Sequence, residues 1–370
     1  MDVLPWNRRR FRFRFTSGEL TGALGDSVTV LPIVVAVAAL TELSLARLLL
    51  GFAAFQVVWG VHYGVPVSVE PMKALAALVI AGSLTAGELA VAGLLAGGVL
   101  LLVGTTGALA RIQRYVGQPI VRGVQLAVGL VLLETGIQLS LDGVGYALLA
   151  LAVVGVTVAA GHHRVSTLLV IALGVAVGVS QTGLPTPQLP ALDLTLPTAA
   201  DVSSASVGAT LGQLAMTVGN AAVATSLLLS DYFDAEVSAD ELATSMGAMN
   251  LLAVPLGAMP MCHGSGGVAG KYAFGARTAG SNLILGALYA LAAVLAVGVV
   301  AAFPLAMLGV VLAVIAVELG RAGLETNDLP LTVGIGVLGV LTNVGVAFVA
   351  GIVAQRVRLW FATDADRRSR

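Results

Sequence analysis

An all-α polytopic membrane protein with about 14 transmembrane segments, set out as seven plus seven inverted repeats, is what this chain predicts, on three observations. Of its 370 residues, 58% are hydrophobic and only 11% charged, against roughly 25% charged in soluble domains, so most of its surface is meant for lipid. Hydrophobic windows divide evenly, seven to each half. Finally, Gly25-Asp26 is followed forty residues later by Pro66, and Gly219-Asn220 by Pro260 at the same interval, both landmarks recurring at an offset of 194 residues. Paired interrupted segments of this kind mark a transporter whose site lies where they meet.

The chain opens with Arg8, Arg9, Arg10, Arg12 and Arg14, and Arg356, Arg358, Arg367, Arg368 and Arg370 lie near its end. Excess Lys and Arg stays inside, which puts both termini in the cytoplasm of a multi-pass cell-membrane protein and requires an even number of crossings. Residues 1–18 read as a basic cytoplasmic segment; the alternation Arg10-Phe11-Arg12-Phe13-Arg14-Phe15 suits an interfacial anchor, with no cleavage site of a signal peptide after it. Nucleic acid is excluded as a partner because nothing else is basic. The first repeat, 19–182, holds windows at 19–40, 44–62, 68–82, 86–108, 119–139, 143–161 and 165–182. A linker at 183–206 carries Pro185, Pro187, Pro190 and Pro197 without Lys or Arg and falls outside. The second repeat, 207–361, holds 207–230, 240–258, 264–278, 281–301, 303–322, 331–344 and 345–361, before a cytoplasmic tail at 362–370. Threading these crossings places Arg111, Arg114, Arg122, His162, His163, Arg164, Lys271 and Arg277 on the cytoplasmic side. Spans of about 20 residues consume about 280, leaving no room for a sizeable soluble domain. The 45 glycines suit close helix approach and permit a homodimer, though they serve internal packing equally.

Two windows are interrupted. Gly64, Pro66 and Pro71 in one, and Pro255, Gly257, Pro260, Gly264, Gly266 and Gly267 in the other, predict extended backbone followed by a short half-helix. Such backbone must be buried in protein or line a cavity. Pro71 fits the first turn of its helix, and Gly264-Ser265-Gly266-Gly267 lets backbone amides approach a ligand. Each helix N-terminus carries about half a positive charge, so two opposed ones with Lys73 suit a dianion. Glu70 opposes that sum and is expected to pair with Lys73 or to be protonated when substrate binds. Asp26 is an intramembrane carboxylate whose repeat mate is the neutral Asn220, which makes it a functional candidate. Gln213, Thr217 and Asn220 share a helical face. Glu134 and Glu318 end similar helices and are candidate gate residues.

The single cysteine, Cys262, excludes an intramolecular disulfide, and His263 beside it lacks further ligands, so no metal is expected. No nucleophile stands with a base in any recognisable motif, so the chain reads as no enzyme, with no cofactor.

Glu70-Pro71-Met72-Lys73-Ala74-Leu75-Ala76-Ala77 resembles the first signature of the molybdate transporter family, a branch of the sulfate permease superfamily. Pro260-Met261-Cys262-His263-Gly264-Ser265-Gly266-Gly267, continuing through Tyr272-Ala273-Phe274-Gly275-Ala276-Arg277-Thr278, resembles its second. The resemblance implies a core and a gate domain, an oxyanion held between the third and tenth segments, and alternating access as the core moves past the gate. The substrate-binding set it supports is Asp26, Glu70, Pro71, Met72, Lys73, Gln213, Asn220, His263, Gly264, Ser265 and Gly266, with Asp26 or Glu70 as the proton-coupling group. Two departures stand out: the family usually has Gln where this chain has Glu70, and the chain stops soon after Phe361, where sulfate permeases carry a regulatory domain. The expected function is import of molybdate, with sulfate transport, nucleobase transport in the same architecture and a passive anion channel as alternatives.

Overall fold

The computed structural model describes residues 13–190, 194, 196–295 and 302–368, apart from the side chains of residues 220, 359 and 361–368. Arg8, Arg9, Arg10 and Arg12 of the anchor, and Asp193 of the linker, therefore lie outside the described residues.

The first half runs α1 (Ser17–Leu40), α2 (Leu45–Tyr63), β1 (Glu70–Pro71), α3 (Lys73–Ile80), α4 (Ala86–Thr105), the short α5 (Leu109–Gln113), α6 (Gln118–Leu141), α7 (Val144–Ala159) and α8 (Ser166–Thr182). The second runs α9 (Ser204–Met216), which passes through a π turn at Thr217–Ala221 into α10 (Ala222–Phe233), then α11 (Ala239–Ala253), β2 (Met261–Cys262), α12 (Ser265–Ala273), α13 (Gly280–Leu295), α14 (Leu305–Leu324), α15 (Leu329–Leu341) and α16 (Val344–Arg368). Among the described residues, seven helices are long and apolar enough to cross a membrane unaided, counting α9 with α10 as one. Three further apolar helices, α7, α13 and α15, are shorter and rely on neighbours. Local chemistry sets many of the boundaries: Thr85 and Glu88 cap α4 reciprocally, as Ser238 and Glu241 cap α11, and Gly64 ends α2 with left-handed φ of 70°. Helix α16 runs on to Arg368, so most of the segment read as a tail continues the last helix.

Packing separates two groups. In one, α2 lies along α13 and α4 along α11, with α1 and α10 against α12; in the other, α6 lies along α14, joined by α7, α8, α15 and α16. These are the core and gate of the inverted-repeat fold. The symmetry is visible in the pairs: exchanging each helix for its repeat mate turns α2–α13 into α11–α4. The α6 and α14 backbones meet so closely at Gly136 and Gly309 that a Cβ on Gly136 would lie 2.7 Å from the Gly309 carbonyl oxygen, the small-residue contact that association in lipid favours.

The halves join at the protein's two-stranded sheet. β1 and β2 pair antiparallel, Glu70 opposite Cys262 and Pro71 opposite Met261, and the Met72 N–H donates to Pro260 O at 2.9 Å. Pro71 thus belongs to the strand, and α3 starts two residues later, at Lys73. Its fixed φ is tolerated at this edge position and the next N–H carries the ladder.

Candidate functional site

Extended backbone at membrane depth needs partners for every polar group, and buried side chains supply them. Val67 O accepts from Lys271 Nζ at 2.6 Å and Asn282 Nδ2 at 2.7 Å, and Val69 O accepts from Gln56 Nε2 at 3.2 Å. Ser68 O takes the Nδ1–H of His263 at 2.9 Å, because a carbonyl can only accept. His263 Nε2 then accepts from Ser245 Oγ at 2.8 Å, which itself accepts from Tyr63 Oη at 2.7 Å. On the other strand, Asn250 both donates to Met261 O (2.8 Å) and accepts from Met261 N (2.7 Å). His263 is therefore a fully buried brace for the extended segment and does not line the cavity described below.

Asp26 is placed likewise. It is fully buried behind the half-helices, paired with Lys271 Nζ at 3.1 Å, and accepts from Gln56 Nε2 at 2.8 Å and Ser68 Oγ at 2.5 Å. Lys271, threaded to the cytoplasmic side by the charge rule, is in fact fully buried in α12. The rule counts charges but cannot see a carboxylate brought from 245 positions away in sequence to neutralise one. Nothing local in the sequence couples Asp26 to Lys271, Gln56 and Asn282, although polar residues in apolar helices were the available signal.

The two half-helix N-termini meet at a small cavity of about 70 Å³, lined by Glu70, Lys73, Gln125, Gln213, Met216, Ala221, Cys262, Gly264, Ser265, Gly266 and Leu319. Six of the expected binding residues, Glu70, Lys73, Gln213, Gly264, Ser265 and Gly266, come together here. Pro71 and Met72 contribute backbone beside it, with Met72 fully buried, and the side chain of Asn220, in the π turn next to Ala221, is outside the described residues. Gln125 and Leu319, on the gate helices α6 and α14, complete the lining.

A carboxylate of the chain itself sits at the start of α12. The Glu70 carboxylate, 1% exposed, accepts from the Gly267 N–H at 2.5 Å through Oε1 and pairs with Lys73 Nζ at 2.8 Å through Oε2. It lies so close to the start of α12 that a Cβ on Gly264 or Gly267 would overlap it. These two glycines are required by a carboxylate of the protein itself, a closer approach than the ligand contact anticipated. At the other helix, Ala74 N–H donates to Gln213 Oε1 at 3.0 Å, and Gln213 Nε2 donates to Thr217 Oγ1 at 3.0 Å. Gln213 thus spends its amide inside the core and quenches part of the α3 terminus. Donors left facing the cavity are the remaining protons of Lys73, whose side chain is 26% exposed, and the first N–H groups of α12, which have no intrahelical acceptor.

Of the gate candidates, Glu134 is exposed on α6, near Gln138. Glu318 lines a separate, mostly apolar groove of about 740 Å³ between α6, α7, α8 and α14, with His163 and Arg321. No group of three or more possible metal ligands occurs among the described residues.

A family profile described as "Molybdate transporter of MFS superfamily" matches residues 18–132 and 205–319. Molybdate transporter 2 of Arabidopsis thaliana is 31% identical, covering 87% of this chain and 82% of that protein; Molybdate transporter 1 of the same plant is 29% identical over 94% and 89%. Molybdate transporter 1 of Chlamydomonas reinhardtii is 26% identical over 94% and 93%. Among solved structures, the transmembrane domain of the cyanobacterial bicarbonate transporter BicA superposes with a TM-score of 0.67 at 18% identity, covering 92% of this chain and 98% of that one. Murine Solute Carrier 26 family member A9, an anion transporter in the inward-facing state, gives 0.70 at 12%, covering 97% and 70%. These likenesses establish the shared fold.

Proposed function

Since this chain belongs to the molybdate transporter family and is a multi-pass membrane protein that transports anions, we propose that it imports molybdate, with a proton bound at Glu70 for each oxyanion carried. The observation that carries this reading is the Lys73–Glu70–Gly267 contact inside the cavity. An ionised Glu70 holds the ammonium and the α12 N-terminus for itself. A protonated Glu70 releases both to a tetrahedral dianion, which then accepts from Lys73 Nζ and from the N–H groups of Ser265, Gly266 and Gly267. Backbone amides and a helix terminus suit such an anion because they offer several donors without a compensating negative charge.

Proton and substrate thus share one set of donors, and their coupling follows from competition for it. Asp26 does not serve this purpose: its charge is held by Lys271, Gln56 and Ser68 away from the cavity. Transport proceeds by alternating access as the core, carrying the half-helices, slides against α6 and α14, with both termini in the cytoplasm.

Calorimetric binding of molybdate to purified protein, with sulfate, tungstate and uracil as competitors, tests the assignment. Displacement by tungstate and poor displacement by sulfate are expected. Stronger binding of sulfate would move the substrate within the oxyanions, and binding of uracil alone would overturn the reading. Lys73→Ala removes a charged donor worth about 1.5–3 kcal/mol and is expected to weaken molybdate binding by about ten- to a hundredfold.

A further inference from the structure

Opposite the half-helices, the cavity wall carries a polar group outside the expected binding set. Gln125 of α6 is 4% exposed and lines the cavity. Its Oε1 accepts from Arg122 Nη1 at 3.0 Å, and Arg122 lies one turn earlier on the same helix, outside the lining. A guanidinium only donates, so this bond fixes which end of the amide faces Arg122 and turns the NH2 group the other way. Among the described residues, Gln125 Nε2 makes no hydrogen bond. The contrast with Gln213 is direct: one amide is saturated within the core, whereas the other keeps its two N–H donors uncommitted at the cavity wall.

We propose that Gln125 is a substrate-binding residue contributed by the gate, donating through Nε2 to an oxyanion oxygen that faces away from Lys73 and α12, and that Arg122 is its positioning residue. The inference rests on the oxyanion reading above and deepens it. A tetrahedral oxyanion presents oxygens on opposite sides and can accept from both walls at once, while a monatomic anion against Lys73 leaves the amide unpaired. Gln125 therefore selects for polyatomic anions and ties the substrate across the core–gate boundary, without adding charge to the site.

The test is uptake of radiolabelled molybdate into proteoliposomes by wild-type protein, Gln125→Leu and Arg122→Met, with chloride as competitor. Gln125→Leu is expected to raise KM for molybdate about ten- to a hundredfold, the loss of one hydrogen bond to an anion, and to lower the preference for molybdate over chloride. Arg122→Met, which leaves the lining intact, should shift KM and the preference in the same direction by less, with maximal rate retained. A purely structural Gln125 would lower the amount of active protein and leave KM and the anion preference where they were, and that result overturns the proposal. Wild-type protein that ignores molybdate overturns the substrate reading as well, so the two failures are distinct.

Discussion

Asp26 and Lys271, one from each half of the chain, form an ion pair at 3.1 Å in which both side chains are fully buried. The pair sits directly behind the cavity: a Cβ on Gly267 would overlap Asp26 and Ser68 on one side while approaching Glu70 on the other. Its partners are the same side chains that satisfy the extended backbone at Val67 and Val69.

Removing either charge strands the other in a low-dielectric interior, so Asp26→Asn and Lys271→Met alone are each expected to cost about 3–5 kcal/mol. The double variant should recover much of that loss. Thermal unfolding in detergent measures both, and singles that unfold like wild type would show the pair to be unimportant for the fold.

Glu70→Gln keeps the shape of the side chain and removes the charge that competes with substrate. Wild-type binding of molybdate is expected to strengthen as pH falls, because protonation frees Lys73 and Gly267. Binding by the variant should be insensitive to pH and, at alkaline pH, about tenfold tighter than wild type, a gain of about 1.4 kcal/mol. Calorimetry at an acid and an alkaline pH reads this, and an unchanged pH dependence in Glu70→Gln would assign the proton elsewhere.

A methyl group at Gly264 would collide with the Glu70 carboxylate. Gly264→Ala is therefore expected to reduce stability and transport, and adding Glu70→Ala, which vacates the space, should restore stability without restoring coupling. Failure of the double variant to recover in unfolding measurements would mean that the glycine answers to something other than Glu70.

Asp328 caps α15, accepting from the Leu331 N–H at 3.1 Å, and ties it to Arg358 of α16. The backbone hydrogen bond first, and the guanidinium with it, hold its carboxyl below the ordinary range. A lowered folded-state pKa means the contribution is present above the unfolded value of about 3.9 and disappears as pH falls through the folded one. Asp328→Ala is expected to cost about 1 kcal/mol near neutral pH and nothing once the wild-type carboxyl is protonated, as unfolding curves across that interval would show.

Much of the fold was legible from residues 19 to 361 alone. Hydrophobic windows are a one-dimensional property, and a break such as Val65-Pro66 or Gly264-Ser265-Gly266-Gly267 announces itself locally because Pro and Gly change what the backbone can do. The repeat offset aligned the two interrupted segments, and Glu70 with Lys73 could be paired because three residues separate them. The roles of Asp26, His263 and Gln213 were not legible, since a polar side chain in an apolar helix signals burial without saying whether it faces a ligand or an unpaired carbonyl.

Sequence by itself determined the membrane class, the two related halves, the half-helices and the nearness of Glu70 to Lys73, all of which depend on composition or on neighbours along the chain. Only the tertiary structure decided that Lys271 neutralises Asp26, that Gln56, Asn250, Asn282 and His263 support the extended segments, and that Gln125 closes the cavity from the gate. Those contacts join positions up to 245 residues apart, and in a medium without water a buried polar group can be satisfied only by a partner that the packing of helices brings within reach.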